Sequence, residues 1–315
     1  MAFWGAKAQV AVEKDAPENI KSIVFKGTTE DQFPIILSGD RITLEFDDLN
    51  ASEEDYYYKV TYYNYDWTPS TLLKSQYLKG LDNLRITNYE NSYNTLQAYS
   101  NYQLQLPNNN ISFKISGNYM LEVYNEYDEL QFSRRFLIYQ NAVSVGVSTK
   151  RAREFEFLNE KQAVQIAINA GDFRLINPKN EVKVAIIQNY YWPSAITNLK
   201  PQYTIGKELL YKYDKEASFF GGNEFLNFTT KDLRATSTAI ARVELQDIYN
   251  HYLYGDLHRA NEPYTYFPDI NGDFVVTTQQ GEDASRESEY TNIHFKLEYT
   301  DAIGLDDVYV EVYIR

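Results

Sequence analysis

The chain has 315 residues, no cysteine, and 30 basic against 44 acidic side chains, which gives a net charge of −14. A chain without cysteine cannot form disulfides, thiolate zinc sites, iron–sulfur clusters or a thiol nucleophile, and its acidity disfavours nucleic acid as a partner because Lys and Arg neutralise phosphates. No run of about 18 apolar residues occurs, so the sequence predicts no membrane-spanning helix.

Residues 1–19 are predicted to be a signal-peptide remnant followed by a flexible tail. Ala6-Lys7-Ala8 fits the small-x-small pattern that precedes a signal-peptidase cleavage site, and a polar run extends from there to Asn19. The basic region and most of the apolar region of an export signal are missing, so a disordered tail with an accidental match is the alternative. The export interpretation predicts a protein that works outside the cytoplasm.

Short strand-like segments dominate residues 20–140. Apolar and polar residues alternate around Ile42–Phe46 and in Tyr57–Asp66, which is typical of half-buried antiparallel strands. The pattern returns three times after turn-forming Asn and Gly residues, at Ser112–Ile115, Tyr119–Tyr124 and Phe132–Tyr139. About seven short strands at this spacing predict an all-β, immunoglobulin-like sandwich.

A second sandwich is predicted for residues 141–300. Its strand candidates share β-branched or aromatic residues at alternate positions: Val143–Val147, Ala163–Asn169, Val182–Gln188, Leu209–Tyr213, Ala239–Leu245, Phe274–Thr278 and His294–Tyr299. Helix is expected only in the short segments Ser70–Leu78 and Thr230–Thr236. The fold class is therefore all-β, with two tandem immunoglobulin-like sandwich domains.

The boundaries of these two domains carry further expectations. Gln140-Asn141-Ala142 has neither Gly nor Pro, which indicates a short, stiff junction that keeps a preferred angle between the domains. Residues 301–315 end in an alternating segment, Asp306–Arg315. This segment either closes the second sandwich or begins a truncated third β domain.

The sequence shows no catalytic or metal-binding constellation. Asp269–Asp273 begins like a calcium loop, but Phe274 and Gln280 stand where that loop needs Gly and Glu. Acidic runs such as Glu53-Glu54-Asp55 are interpreted as solvated charge. The histidines do not have the spacing of metal ligands; they are His251, His258 and His294. We therefore predict no enzyme activity, no catalytic residue, no metal site and no cofactor.

Tyrosine is in excess, with 29 residues. Its flat ring and hydroxyl suit protein interfaces, sugar-stacking platforms and packed sheet faces equally well. Aromatic clusters on successive positions place rings on both faces of a strand, so some rings are expected to point outward. Those taken as candidate partner contacts are Tyr65, Trp67, Tyr190, Tyr191 and Trp192.

Five motifs in a fixed order carry a family resemblance over about residues 20–300. They are Phe33-Pro34-Ile35-Ile36 with Gly39-Asp40-Arg41; Tyr65-Asp66-Trp67-Thr68-Pro69-Ser70 followed by Tyr77-Leu78; Tyr89-Glu90-Asn91-Ser92-Tyr93-Asn94-Thr95; Ser116-Gly117-Asn118-Tyr119; and Gly221-Gly222-Asn223-Glu224-Phe225 with Leu233-Arg234. Together they resemble the type IX secretion plug family of Bacteroidetes.

The resemblance implies a non-enzymatic periplasmic protein at the inner face of the outer membrane. Its partners would be a giant outer-membrane β-barrel translocon and the subunits associated with it, and it would close the periplasmic mouth of the barrel when no cargo is present. No small-molecule substrate is implied. The alternative is a carbohydrate-binding module or surface glycan-binding protein, which the sandwich fold and the aromatic residues also suit.

Overall fold

The computed structural model describes residues 10–28, 33–81, 83–221, 225–257, 270, 272–279, 281 and 283–298. In its first part the strands are β1 (Ile20–Lys26), β2 (Ile35–Leu37), β3 (Ile42–Asp48), β4 (Tyr57–Tyr63), β5 (Leu78–Gly80), β6 (Leu84–Arg85), β7 (Asn88–Asn91), β8 (Ser100–Leu106), β9 (Ile111–Phe113), β10 (Gly117–Tyr124) and β11 (Leu130–Tyr139). One helical turn, α1 (Lys74–Tyr77), lies between β4 and β5.

The main strands of this part form two sheets. One has the order β1-β3-β8-β7 and the other β2-β11-β10-β4-β6. Pairing is antiparallel except between β2 and β11, which run parallel. In immunoglobulin lettering these are an ABED sheet facing a GFC sheet, so the predicted fold class is confirmed for residues 20–139.

The core of this sandwich follows from the alternation seen in the sequence. Ile42, Leu44 and Phe46 are fully buried, because a strand places every second side chain on the inner face. Rings fill the layer between the sheets: Phe46 stacks on Tyr102 with ring centroids 5.1 Å apart. Tyr119 is also fully buried, at the corner that leads into β10.

The second part begins with another sheet. Its strands are β12 (Ser144–Arg151), β13 (Lys161–Asn169), β14 (Ala185–Ile186), β15 (Ile196–Thr197), β16 (Tyr203–Ile205), β17 (Glu208–Tyr211) and β18 (Ser218–Phe220), with the helical turn α2 (Pro178–Glu181). The order β12-β13-β17-β16, with β18 also on β13, repeats the ABED pattern of the first sandwich. A smaller core covers one face: Ile166, Ile168, Ile186, Leu209, Tyr211 and Ala217.

A separate three-stranded sheet follows. It contains β19 (Ile240–Leu245), β20 (Tyr249–Leu257) and β21 (Thr291–Glu298), and the helical turn α3 (Ala284–Glu287) precedes β21. β19 is antiparallel and β21 parallel to β20. The single second sandwich predicted for residues 141–300 stays a prediction. None of the helices in the described ranges is both long and apolar enough to cross a bilayer.

Three local expectations differ from the structure. Thr230–Thr236 forms turns instead of a helix, because the Asp232 carboxylate and the Thr229 hydroxyl accept nearby backbone N–H groups that a helix would use. Phe274–Thr278 is not a strand. Of Val182–Gln188, only Ala185–Ile186 pairs. The predictions on residues 1–9, His258, Asp269 and residues 301–315 lie outside the described residues.

Candidate functional site

Aromatic residues from two distant segments meet where the first sandwich contacts the second part of the chain. The rings of Trp67 and Trp192 lie edge to face with centroids 5.0 Å apart. The Arg135 guanidinium carbon is 4.5 Å from the Trp67 ring centroid and 5.2 Å from that of Trp192. We call Trp67, Arg135 and Trp192 the joint.

A tight turn after β4 positions Trp67. Asp66 accepts hydrogen bonds from the Thr68 hydroxyl at 2.6 Å and from the Thr68 amide at 3.2 Å, and these bonds lower the pKa of Asp66. Trp67 itself has φ of 61°, a left-handed conformation that costs energy for a bulky residue. The Asp66-Trp67-Thr68 motif therefore aims the indole at the joint.

The other side of the joint comes from the loop before β15. A short 3-10 turn, Trp192–Ser194, carries Pro193 in its first turn. The preceding Tyr190 donates its hydroxyl to the backbone oxygen of Arg135 at 3.2 Å. Its ring stacks on Phe33 with centroids 5.6 Å apart. This loop thereby contacts β11 and the segment before β2 in the first sandwich.

The segment Val10–Lys14, which we call the strap, closes the joint from the N-terminal side. The Ala11 amide donates to the Trp67 backbone oxygen at 2.9 Å, and the Arg135 guanidinium donates to the Ala11 oxygen. The Glu13 carboxylate accepts the Arg135 amide at 2.6 Å. Burial lowers the pKa of Arg135, and the Glu13 carboxylate opposes that shift.

Ring faces, and not hydrogen bonds, hold the indoles together. Trp67 is 3% and Arg135 is 7% exposed, and among the described residues neither indole N–H nor the Arg135 Nε has a protein acceptor. A guanidinium over an aromatic face contributes about 2 kcal/mol when it is desolvated. The joint is therefore a packing contact between two indole rings and a guanidinium.

The five candidate partner residues divide by exposure. Trp67 is buried in the joint, whereas Tyr190, Tyr191 and Trp192 are partly buried. Tyr65 is 49% exposed, with Lys183 Nζ 5.6 Å from its ring centroid. The expected partner contact of all five stays a prediction. Because Trp67 is enclosed, its indole has no free face on which a sugar can stack.

Sequence reasoning did not find Arg135 or Glu13. Arg135 reads as an ordinary strand residue beside Arg134, and Glu13 lies in a segment expected to be a tail. The alternation of β11 gives one indication. Phe136 and Ile138 are buried in the core, and Arg135 lies an odd number of positions before each of them, so its side chain lies on the opposite face of the sheet. Only the structure brings the indoles to that face.

A second contact joins a late segment of the chain to the other sheet of the first sandwich. Tyr290 donates its hydroxyl to Asp47 in β3 at 2.6 Å, and Asn101 donates to the same carboxylate at 2.7 Å. The Ser22 hydroxyl lies 2.7 Å from that of Tyr290. Burial raises the pKa of Asp47 to about 6, although these hydrogen bonds act in the opposite direction. We call Asp47 and Tyr290 the latch.

Backbone contacts extend the latch along residues 286–290. Glu289 accepts the Leu96 amide at 2.9 Å, the Tyr99 hydroxyl donates to the Ser288 oxygen at 3.1 Å, and the Tyr93 amide donates to the Arg286 oxygen at 2.8 Å. The first sandwich is therefore attached to later parts of the chain at one sheet through the joint and at the other through the latch.

Metal ligands do not cluster in the part of the chain that the structure describes. His251 is fully buried in β20, and burial lowers its pKa. His294 lies 3.0 Å from the side-chain oxygen of Asn250. The His251 ring takes part in packing, and the His294 ring takes part in local hydrogen bonding.

Comparison with known proteins finds one matching family model and a similar solved structure. Residues 20–140 match the family model described as "Type 9 secretion system plug protein 1st domain". A crystal structure of a hypothetical protein from Parabacteroides merdae ATCC 43184 has a TM-score of 0.87 and 28% sequence identity, and the match covers 92% of this chain and 74% of that one. No curated protein matches the chain.

The matched residues coincide with the first sandwich, which contains Trp67 and Arg135 of the joint and Asp47 of the latch. This domain match points to a role in type IX secretion and to the cell envelope as the location. Residues 20–140 therefore match the first domain of the type IX secretion system plug family, which supports the resemblance that the ordered motifs indicated.

Proposed function

We propose that the chain is a non-enzymatic plug subunit of the type IX translocon. It lies at the inner face of the outer membrane, where it closes the periplasmic mouth of a large β-barrel channel when no cargo is present. The match of residues 20–140 to the plug family carries this proposal. Export through a cleaved signal peptide and association with other translocon subunits are part of it.

The joint and the latch support a role in obstruction. To close a wide aqueous pore, a protein needs a stiff body and a reversible interface, and it needs no reacting groups. Two attachments on opposite sheets of the first sandwich restrict its motion relative to the rest of the chain. Cargo would displace the plug by binding the open state more tightly than the closed state, because only differential binding shifts the population.

Permeability of the outer membrane tests the proposal. Deleting the gene is expected to admit a large antibiotic such as vancomycin, and deleting the channel gene as well is expected to restore exclusion. A pull-down from the wild-type strain is expected to recover the barrel. Exclusion that is unchanged in the single deletion, with the channel present and otherwise open, would reject plugging.

A further inference from the structure

β12 is a long edge strand, and no other strand in the described ranges covers its outer edge. All eight of its residues are exposed, and among the described strands only β13 pairs with it. One edge of β12 therefore presents backbone N–H and C=O groups that are not used in the sheet. Such an edge is a template on which another extended segment can add as a strand.

The face of β12 that continues the domain core is apolar. Val145 pairs with Ile168 and Val147 with Ile166, and directly paired residues share one sheet face. The two isoleucines are buried, whereas Val145 is 54% and Val147 is 63% exposed. The core-facing side of the sheet is therefore covered at β13 but exposed at β12. Val145 and Val147 would pack there against side chains of an added strand.

Positive charge gathers at the C-terminal end of the same edge. Residues 150–153 contain three basic side chains, Lys150, Arg151 and Arg153, although the chain as a whole has a net charge of −14. Arg151 is tied to the Leu158 oxygen and to the neutral Asn159 side chain. Two carboxylates beside this cluster already have partners: Glu154 pairs with Lys215 at 3.0 Å, and Asp214 accepts the Arg153 amide at 3.2 Å.

We propose that β12 is the docking edge for an extended acidic segment of a protein partner, which adds antiparallel to it as a further strand. The free backbone edge specifies an extended segment, Val145 and Val147 specify apolar residues at alternate positions, and Lys150 specifies acidic residues at the segment's N-terminal end. This surface is separate from the joint and the latch, so the inference stands independently of the plugging proposal.

The opposite edge of the same sheet offers an internal comparison. β16 is also an edge strand, and its Ile205 is 63% exposed, the same fraction as Val147. β16 has only three residues, and a short turn joins it to β17. Three residues provide few hydrogen bonds, so β16 is not expected to hold a partner strand.

A capped peptide Asp-Asp-Val-Thr-Val-Thr-Val-Thr with a fluorescent label tests the proposal on the full chain. We expect saturable binding by fluorescence anisotropy and slower hydrogen exchange at the amides of β12. Val147→Lys should weaken binding about fivefold or more, since a charge then faces the added strand. Ile205→Lys adds the same charge at equal exposure and should not weaken it.

Charge reversal gives a second, independent measurement. Lys150→Glu should weaken binding of this peptide and favour one that begins with Lys-Lys, whereas the matched Lys212→Glu should not change the preference. No saturable binding, equal effects of the Val147 and Ile205 variants, or protection at another strand would overturn the proposal. So would a chain that is already dimeric, with β12 protected before peptide is added.

Discussion

At the scale of single residues, Asp47 shows how a buried polar group can attach distant parts of the chain. Asp47 is 5% exposed, and its carboxylate accepts one hydrogen bond from Asn101 and one from Tyr290. These donors compensate part of the cost of taking a charge out of water. The compensation is incomplete, because the pKa remains above its ordinary value of 3.8, at about 6.

Asp47→Asn should therefore change how stability depends on pH. The folded chain holds the Asp47 proton up to about pH 6, whereas the unfolded chain releases it near 3.8. Stability from this group is present below pH 3.8 and is lost as pH rises through 6. Relative to Asp47→Asn, the wild-type free energy of unfolding should fall by up to about 3 kcal/mol between pH 4 and 7.

Urea unfolding at several pH values measures this difference. Asparagine preserves the geometry, since its oxygen accepts from Asn101 and its amide donates to the Tyr290 hydroxyl. Asp256→Asn, at an exposed position of β20, is the control for the loss of one negative charge. Equal pH dependence in the two variants would show that Asp47 carries no such linkage.

At the scale of elements, the first sandwich carries a corner typical of immunoglobulin-like folds. Tyr119, near the start of β10, donates its hydroxyl to the Ile115 backbone oxygen at 2.7 Å. A tyrosine at this place, bonded to the backbone a few residues upstream, is the tyrosine corner of strand F. It fixes the connection between the two sheets and gives the Ser116-Gly117-Asn118-Tyr119 motif a structural role.

Tyr119→Phe should lower the free energy of unfolding by about 1 kcal/mol. The ring still fills its buried site, but the Ile115 oxygen loses its partner. Chemical denaturation of the full chain measures the change. Tyr203→Phe is the matched control, because the ring of Tyr203 in β16 is 58% exposed. If the two variants lost equal stability, the corner would not be a stabilising contact.

The elements also show what could be predicted from sequence. Alternation identified β3, β4, β10 and β11, because one face of each is buried and the period of two survives in the residues. Alternation wrongly predicted a strand at Phe274–Thr278, because a strand also needs a neighbouring strand to pair with, and alternation does not show whether one is present. The sequence indicates the two halves of the joint as separate aromatic clusters. Pattern alone cannot show that residues 65–67 contact residues 190–192, or that Arg135 lies against both indoles.

At the scale of the whole molecule, the joint and the latch act as a pair. Each fixes later parts of the chain to a different sheet of the first sandwich. A body held at one point can rotate about it, whereas a second attachment on another face removes that freedom. Loss of one contact should therefore have a smaller effect on shape than loss of both.

Trp192→Ala combined with Tyr290→Phe tests this pairing. Removing the indole takes away one of the two faces that hold Arg135, and removing the hydroxyl deprives Asp47 of a donor. We expect small-angle scattering to show little change for either single variant, and a larger radius of gyration with a broader distance distribution for the double variant. The excess over the sum of single effects is the signature of coupled contacts.

Circular dichroism provides the check that the sandwiches stay folded, since a change of angle between parts leaves the strand content unchanged. Tyr127→Ala combined with Tyr290→Phe is the control, because Tyr127 lies in the β10–β11 turn and is 74% exposed. If the Trp192→Ala double variant scattered like this control, the joint would not restrain the molecule. The stiffness invoked for plugging would then have to come from the latch.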